Sequence, residues 1–400
     1  MKISTIVTIN IKINNSEPNI SSANFFPFLL FVSLSSFFSG ILNSNNKFAA
    51  AAAAPIILNM VLILSLVTSY KLNLNFAKLL SYGVTLAGML QLIFLIFVTL
   101  KFYKPTLSLK LKADRKVKFF FKKLIPSIFS SGVIQINILI GTIIASFETG
   151  AVSYLYYADR IYQINLAIAG IAVGTVSLPA LSKAFNNKNL KKLSDIQSKS
   201  FELSLLLSIP ASIGLIIASE EIVNSLFGYG SFSEEDVKLT ADALKYFGYG
   251  VPAFALVKIL SNFFFARDNT KTPLYVSVSM VIINIFISVS LFSSYGFIII
   301  PVATSIAAWI GVLIYIYLLN EKNSLLLNKK LIPNFIKILT STIIMSIIMV
   351  LLINNYESYL NYSYKFKAIY LLSIVGFVGI VYLLSCYLFG ILKLKNYKTN

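Results

Sequence analysis

Histidine is absent from the 400 residues, and cysteine occurs once, as Cys386 within an apolar run. These two absences exclude histidine metal centres, Cys–His nucleophiles and any internal disulfide. Cys386 reads as a small packed or lipid-facing residue. Charge is scarce as well: 12% of residues are charged against 57% hydrophobic. A soluble chain of this size cannot hide so much apolar surface, so the composition defines an all-α polytopic membrane protein. Acids are scarcer than bases, 15 against 34, for a net charge of +19. The lysines fall between apolar runs, where a topological signal explains them better than a nucleic-acid partner. Also missing are a Walker A lysine loop, a G-x-S-x-G elbow and paired intramembrane carboxylates. No catalytic residue, metal or cofactor is therefore assigned, and the chain is not read as an enzyme. Residues 1–24 are polar, lack the apolar core of a signal peptide and read as a tail.

What is present in quantity is apolar runs. Eleven are long enough to span a bilayer, at roughly 25–43, 53–71, 76–100, 124–147, 150–178, 199–219, 242–265, 273–293, 297–319, 332–353 and 367–391. Lys47, the segment 101–123, the 179–199 and 266–272 turns, 320–337 and the tail after 391 hold 24 of the Lys/Arg residues. Loops of the other parity, with residues 1–24, hold eight: Lys2, Lys12, Lys71, Lys78, Lys238, Lys245, Lys365 and Lys367. This bias predicts that the Lys-rich loops and the C-terminus are cytoplasmic and that the N-terminus is outside. The acidic 220–242 loop then lies outside, where solvation accounts for its charge.

A weak internal repeat accompanies the helix pattern. GVTLAGMLQLIFLIF from Gly83 and ATSIAAWIGVLIYIY from Ala303 superpose their small residues at an offset of 220. Pro27 and Pro252 are placed near the starts of helices one and seven, and Pro55 and Pro273 open the helices that follow. Helices 1–3 and 7–9 then correspond, which leaves helices 4–6 without a partner.

The segment SYLYYADRIYQ, residues 153–163, places Asp159 and Arg160 side by side inside a spanning run. An arginine near the bilayer centre costs at least ~2.5–3.5 kcal/mol. Counted from a helix start near Gly150, Arg160 lies ~15 Å deep at 1.5 Å per residue. Asp159 projects roughly 100° away around the helix, so the two cannot face each other squarely. A guanidinium is a planar fork suited to phosphate oxygens. Arg160 either meets a phosphate-bearing ligand in an aqueous cavity or forms a structural ion pair, and the first reading is favoured. Lys258 faces the same cavity or snorkels to the interface, with neither preferred. Ser127, Ser131 and Gln135 recur at i, i+4, i+8 on helix four, with Asn137 nearby. This stripe lines the cavity or hydrogen-bonds another helix, the second slightly preferred. Gly170 and Gly174 suit close helix packing, and Pro179 closes helix five. The basic stretch 182–199 suits an interfacial helix or simple anchoring. Arg267, Asp268 and Lys271 read as a helix-end anchor in preference to a gate, and Trp309 as a packing residue.

The stretch GAVSYLYYADRIYQINLAIAGIAVGTVSLPALSKAF, residues 150–185, resembles the signature of the MurJ/MviN-type lipid II flippases of the MOP exporter superfamily. FPFLLFVSLSSFFSGILNSNNKFAAAAAAP (26–55), LFGYGSFSEEDV (226–237) and ARDNTKTP (266–273) are similar to further family segments, so the resemblance spans about residues 25–395. It implies a MOP-type two-lobe bundle of fourteen helices that exports the undecaprenyl-pyrophosphate-linked peptidoglycan precursor, lipid II, in cell wall biogenesis. The family's ADR arginine falls on Arg160 and its aspartate on Asp159. A glutamate that many relatives carry one turn later is Gln163 here. By this resemblance Arg160 meets the pyrophosphate; Asp159 and Gln163 of the same motif, with Lys258, Ser131, Gln135 and Asn137 from the helix reading above, complete the candidate substrate-binding set.

The resemblance also implies what is missing, namely the family's first three helices with their cavity charges. The expected layout is a polar tail (1–24), an incomplete N-terminal lobe of three helices (25–100), a basic cytoplasmic linker (101–123), a complete six-helix lobe (124–319), and two further helices with a tail (320–400). Those last two form the groove for the lipid tail. Either the start is called late or the form is truncated. The expected partners are lipid II, membrane lipids and the cell-wall synthesis machinery, for a monomer in the bacterial inner membrane. The rival readings are a MOP exporter of polyprenyl-linked polysaccharide or drugs, an inactive truncated form, and a membrane lipid-modifying enzyme.

Overall fold

The computed structural model of the chain describes residues 26–45, 47–103, 132–133, 135–321, 324–328, 330–357 and 366–392. Residues 1–24, most of the basic linker, Ser127 and Ser131 lie outside the described residues. Among those described, every regular element is helical. In chain order they are α1 (Phe26–Ser44), α2 (Phe48–Leu72), α3 (Phe76–Leu100), α4 (Gln135–Ala145), α5 (Ala151–Asn186), α6 (Leu190–Ile217), α7 (Ser219–Phe227), α8 (Glu234–Phe265), α9 (Lys271–Tyr295), α10 (Ile299–Glu321), α11 (Leu331–Glu357) and α12 (Lys367–Leu388).

Eight stretches are long and apolar enough to cross a bilayer, and two shorter apolar helices accompany them. One of the eight, Lys271–Glu321, has 51 residues, too many for a single crossing of ~20. It breaks at Gly296, whose φ of 62° only glycine adopts readily, and its halves α9 and α10 pack on each other. Glu148 accepts the Phe297 N–H at 2.7 Å and lies against Gly296, so a side chain there would meet the carboxylate. The described residues thus hold eleven apolar helices, at the places where the sequence has eleven apolar runs.

Several helix ends differ from the sequence expectation, each for a local reason. Helix α2 begins at Phe48, because the alanines at 49–54 are the best helix formers, and Pro55 sits inside it. Helix α5 runs through Pro179 to Asn186. A proline within a spanning helix is tolerated when neighbouring groups satisfy the backbone. The basic stretch 182–199 forms no separate interfacial helix. It is the end of α5, a turn with Lys188 at φ 52°, and the start of α6, where Asn189 accepts from Lys192 N. Helix α8 starts at Glu234, because Ser233 and Asp236 form a reciprocal capping box. Pro252 therefore lies in mid-helix. The acidic loop is more than solvated charge: Glu220 and Glu221 occupy the first turn of α7, and Glu234, Glu235 and Asp236 that of α8, where carboxylates favour the helix dipole.

The chain divides into two compact units, Met1–Phe121 and Lys122–Asn400. In the first, α3 packs on both α1 and α2. Gln91 reaches from α3 to the Ala54 carbonyl at 2.9 Å, and Gly88 lies against the Phe28 ring. In the second, α8 is the central helix, packed by α5, α6 and α10, while α11 lies on α6 and on α12. The repeat survives in the packing. Seven of the eight buried α3 residues, Ser81, Gly83, Ala87, Gly88, Gln91, Leu95 and Thr99, fall at the offset of 220 on Pro301, Ala303, Ala307, Ala308, Gly311, Tyr315 and Leu319 of α10, all buried, while Val84 falls on the half-buried Thr304. Like α3, α10 packs on the two helices of its own unit that correspond, α8 and α9.

Close packing of α5 on α8 depends on Gly170. A Cβ there would lie 3.1 Å from the Ala255 Cα and 3.0 Å from Leu166 Cδ1. The backbone contact cannot yield, so Gly170→Val is expected to destabilise the fold by about 1–3 kcal/mol. An SDS-titration unfolding curve shifted to lower detergent fraction is the check.

Candidate functional site

Helix α5 begins after Gly150, whose φ of 81° ends the preceding turn, and continues through a π-helical turn at Ala167–Ala172. Such turns often mark functional segments. One face of α5 belongs to α8: Ala158 and Ile161 are buried, Tyr162 stacks on Phe247 at 4.6 Å between centroids, and the Tyr154 hydroxyl donates to Asp236 at 2.9 Å. At 100° per residue, Tyr156, Arg160 and Gln163 fall on the side turned away from α8. The apolar face therefore fixes where the polar one points.

On that polar face Arg160 is half-buried. Its Nη2 donates to the Tyr156 hydroxyl at 3.2 Å, and its guanidinium carbon sits 4.7 Å from the centre of the same ring. Asp159, the adjacent acid, is turned elsewhere: Gln163 donates to its Oδ2. Among the described residues no carboxylate forms an ion pair with Arg160. The charge stands ~15 Å into a spanning helix with an aromatic neighbour and, among the described residues, no ion-paired acid. A guanidinium so placed can present a forked donor edge to an anion.

The other described candidates stand on two further helices, α8 and α4. Lys258 is exposed on α8. One turn on, Asn262 donates to the Gly174 carbonyl at 2.8 Å, and a Cβ at Gly174 would touch that amide, which accounts for the small pair Gly170 and Gly174. Gln135 is exposed on α4. Asn137 accepts from Asn284 of α9 at 2.8 Å, and Asn284 in turn accepts from Ser288, so this amide ties two helices together. Arg267 anchors a helix end: it donates to the Phe263 and Ser324 carbonyls and covers the Phe185 ring. Burial lowers its pKa from the ordinary guanidinium value.

Sequence reasoning missed four groups. Tyr156 reads as one aromatic among many. Gln197, fully buried, donates to Ser324 O and accepts from Leu326 N, pinning the segment 324–328. Ser212, Ser305 and Trp309 donate to the Gly248, Tyr246 and Tyr249 carbonyls of α8. The Gly248 carbonyl has no intrahelical donor because Pro252, four residues on, has no N–H. Lys367, counted above as an outer loop charge, is fully buried. Only Pro252 gave a signal, since a mid-helix proline predicts an orphaned carbonyl.

Apolar helices in two units with matching buried faces, and a lone guanidinium deep in one of them, define a multi-pass membrane transporter of the MOP type. The chain belongs to the MurJ family: the family model described as "Lipid II flippase MurJ" matches residues 21–394. It is 37% identical over 380 residues to a probable lipid II flippase MurJ of Rickettsia prowazekii, covering 94% of this chain and 73% of that protein. It is 33% identical over 368 residues to one of Rhizobium tropici, covering 91% and 68%. Its fold is similar to a solved "Lipid II flippase MurJ, inward closed conformation" with a TM-score of 0.73 and 26% identity, over 91% of this chain and 72% of that one. An inward-facing MATE transporter of the MOP superfamily shares the fold at a TM-score of 0.62 and 15% identity, over 75% and 71%. The chain is a multi-pass protein of the bacterial inner membrane.

Proposed function

We propose that this chain carries lipid II, a polyprenyl diphosphate-linked peptidoglycan precursor, from the inner to the outer leaflet. The observation that carries the reading is Arg160, set deep in α5 with no carboxylate partner among the described residues. Its forked donor edge binds the diphosphate, and the head group crosses while the polyprenyl tail stays in lipid. Helices α1–α3 are three helices of one lobe, α4–α10 build the second, and α11 and α12 are appended to it. Access alternates between the two membrane faces. Membrane potential supplies ~2.3 kcal/mol per charge per 100 mV. The test is translocation of fluorescent lipid II by the purified chain in proteoliposomes, read as probe reaching the far leaflet. Rates no higher than in protein-free liposomes would overturn the reading.

The Lys-rich helix ends are cytoplasmic and the α7–α8 end is external. Cys386 is the sole cysteine and is buried, so Cys386→Ser supplies a cysteine-free background. In that background Lys192→Cys is expected to react with an impermeant maleimide only from the cytoplasmic side, and Lys238→Cys only from outside. The reverse pattern would invert the topology.

A further inference from the structure

Two side-chain pairs interleave on the polar face of α5. Tyr156 holds Arg160 at i, i+4, through the hydroxyl at 3.2 Å and the ring at 4.7 Å. Gln163 holds Asp159 at the same spacing, its amide donating to Oδ2. Asp159 and Arg160 are neighbours in sequence, the closest opposite charges the chain could set together. Adjacent side chains do not face each other squarely, but a free arginine is long enough to swing its guanidinium toward the Asp159 carboxylate, which would then compete with any incoming anion. Each is instead engaged one turn away, in opposite directions along the helix: Arg160 back to Tyr156, Asp159 forward to Gln163. The chemistry of each partner suits its task. A tyrosine offers a π face to the cation and a hydroxyl oxygen as acceptor, with no charge of its own. A glutamine amide donates to a carboxylate, which a carboxylate in its place could not do. Tyr156 is in turn braced by an edge-on contact to Tyr157 at 6.1 Å, and Tyr157 packs on Phe227 and Phe232.

We propose that Tyr156 and Gln163 are positioning residues that hold Arg160 and Asp159 apart, so that the guanidinium meets the substrate diphosphate uncompensated; this rests on the flippase reading above. Tyr156 fixes the plane of the guanidinium and occupies Nη2, which leaves the rest of the fork for the diphosphate. Gln163 keeps Asp159 out of that space. Neither residue needs to touch the substrate.

The test is a double-mutant cycle on the full chain in nanodiscs, reading equilibrium affinity for lipid II. Tyr156→Leu removes both contacts and is expected to weaken binding about tenfold, while Tyr156→Phe keeps the ring and weakens it about threefold. Gln163→Leu is expected to weaken binding about threefold by releasing Asp159, and Asp159→Asn added to it restores the native affinity. Combined with Arg160→Ala, neither Tyr156→Leu nor Gln163→Leu changes affinity further, because each acts through the missing group. The same loss with and without Arg160, or no loss in either single variant, overturns the positioning roles while leaving the flippase reading intact. Native binding by Arg160→Ala alone overturns the assigned role of Arg160 and this proposal with it. Where Tyr156→Leu fails to fold, Tyr156→Phe carries the same cycle, since it removes one atom.

Discussion

Arg160→Ala is expected to bring lipid II translocation down to the rate of protein-free liposomes while the variant inserts and unfolds like the native chain. The two halves of this expectation have separate reasons. Each hydrogen bond from a charged donor to an anion contributes about 1.5–3 kcal/mol, and a guanidinium fork makes two at once. Their loss corresponds to a fall in affinity of roughly a hundredfold or more. Folding is spared because the arginine is not half of a buried pair. Among the described residues its side-chain contacts are to Tyr156, and Asp159 keeps its bond to Gln163 when Arg160 is gone. Removing a membrane-embedded charge also removes an insertion cost of at least ~2.5 kcal/mol. Arg160→Lys retains the charge but neither the fork nor the flat stack on the ring, so an intermediate rate is expected. Transport by Arg160→Ala at the native rate would remove the residue from the mechanism. A variant that fails to insert would show Arg160 to be structural.

The placement of helices was legible because apolar run length is dictated by the bilayer, which acts on every segment alike. The repeat was legible for a related reason: small residues at 83, 87 and 88 and at 303, 307 and 308 must be buried wherever two helices approach closely. Helix ends were less legible, and the errors have a pattern. The basic residues at 182–199 suggested an interfacial helix or an anchor and the acidic 234–241 a loop, yet α5 and α6 extend into the first from either side of its turn and α8 takes in the second, because once a helix emerges from the hydrocarbon water no longer selects against its polar residues. Caps decide such ends, and the Ser233–Asp236 box lies outside any hydropathy window. The site itself was half legible. Arg160 is conspicuous as a charge in an apolar run. Its release from Asp159 depends on two i, i+4 contacts to Tyr156 and Gln163, residue types common enough to carry no signal alone. Asn137 shows the converse: a polar residue in a spanning run that, in the fold, joins two helices. Lys367 was misread because a lysine next to an apolar run is usually a solvated topological anchor.

Lys367→Met is expected to destabilise the fold by about 3 kcal/mol, the largest stability effect among the substitutions considered. Lys367 opens α12, yet its side chain is fully buried. Its ammonium donates to Asn224 Oδ1 at 2.7 Å and to the Gly228 carbonyl at 2.6 Å, and it lies 4.1 Å from the centre of the Tyr229 ring. Gly228 is the C-terminal cap of α7, where the helix dipole leaves partial negative charge, so a cation is well placed there. Methionine retains the stem and its packing but cannot donate, which strands a part-buried amide oxygen and a buried carbonyl. Lys367→Arg keeps the charge but brings a larger planar head into a filled space, and it is expected to recover only part of the loss. The consequence reaches α5, because Phe227 at the end of α7 packs on Tyr157 at 4.7 Å, and Tyr157 braces Tyr156. Loosening α12 from α7 should therefore weaken lipid II binding modestly through the ring beneath Arg160, in addition to lowering stability. SDS-titration unfolding and binding measured on the same preparations separate the two effects. Native stability in Lys367→Met would show that the ammonium is not what secures α12 to α7. A stability loss with unchanged affinity would show that the aromatic chain from Phe227 to Tyr156 does not transmit to the arginine.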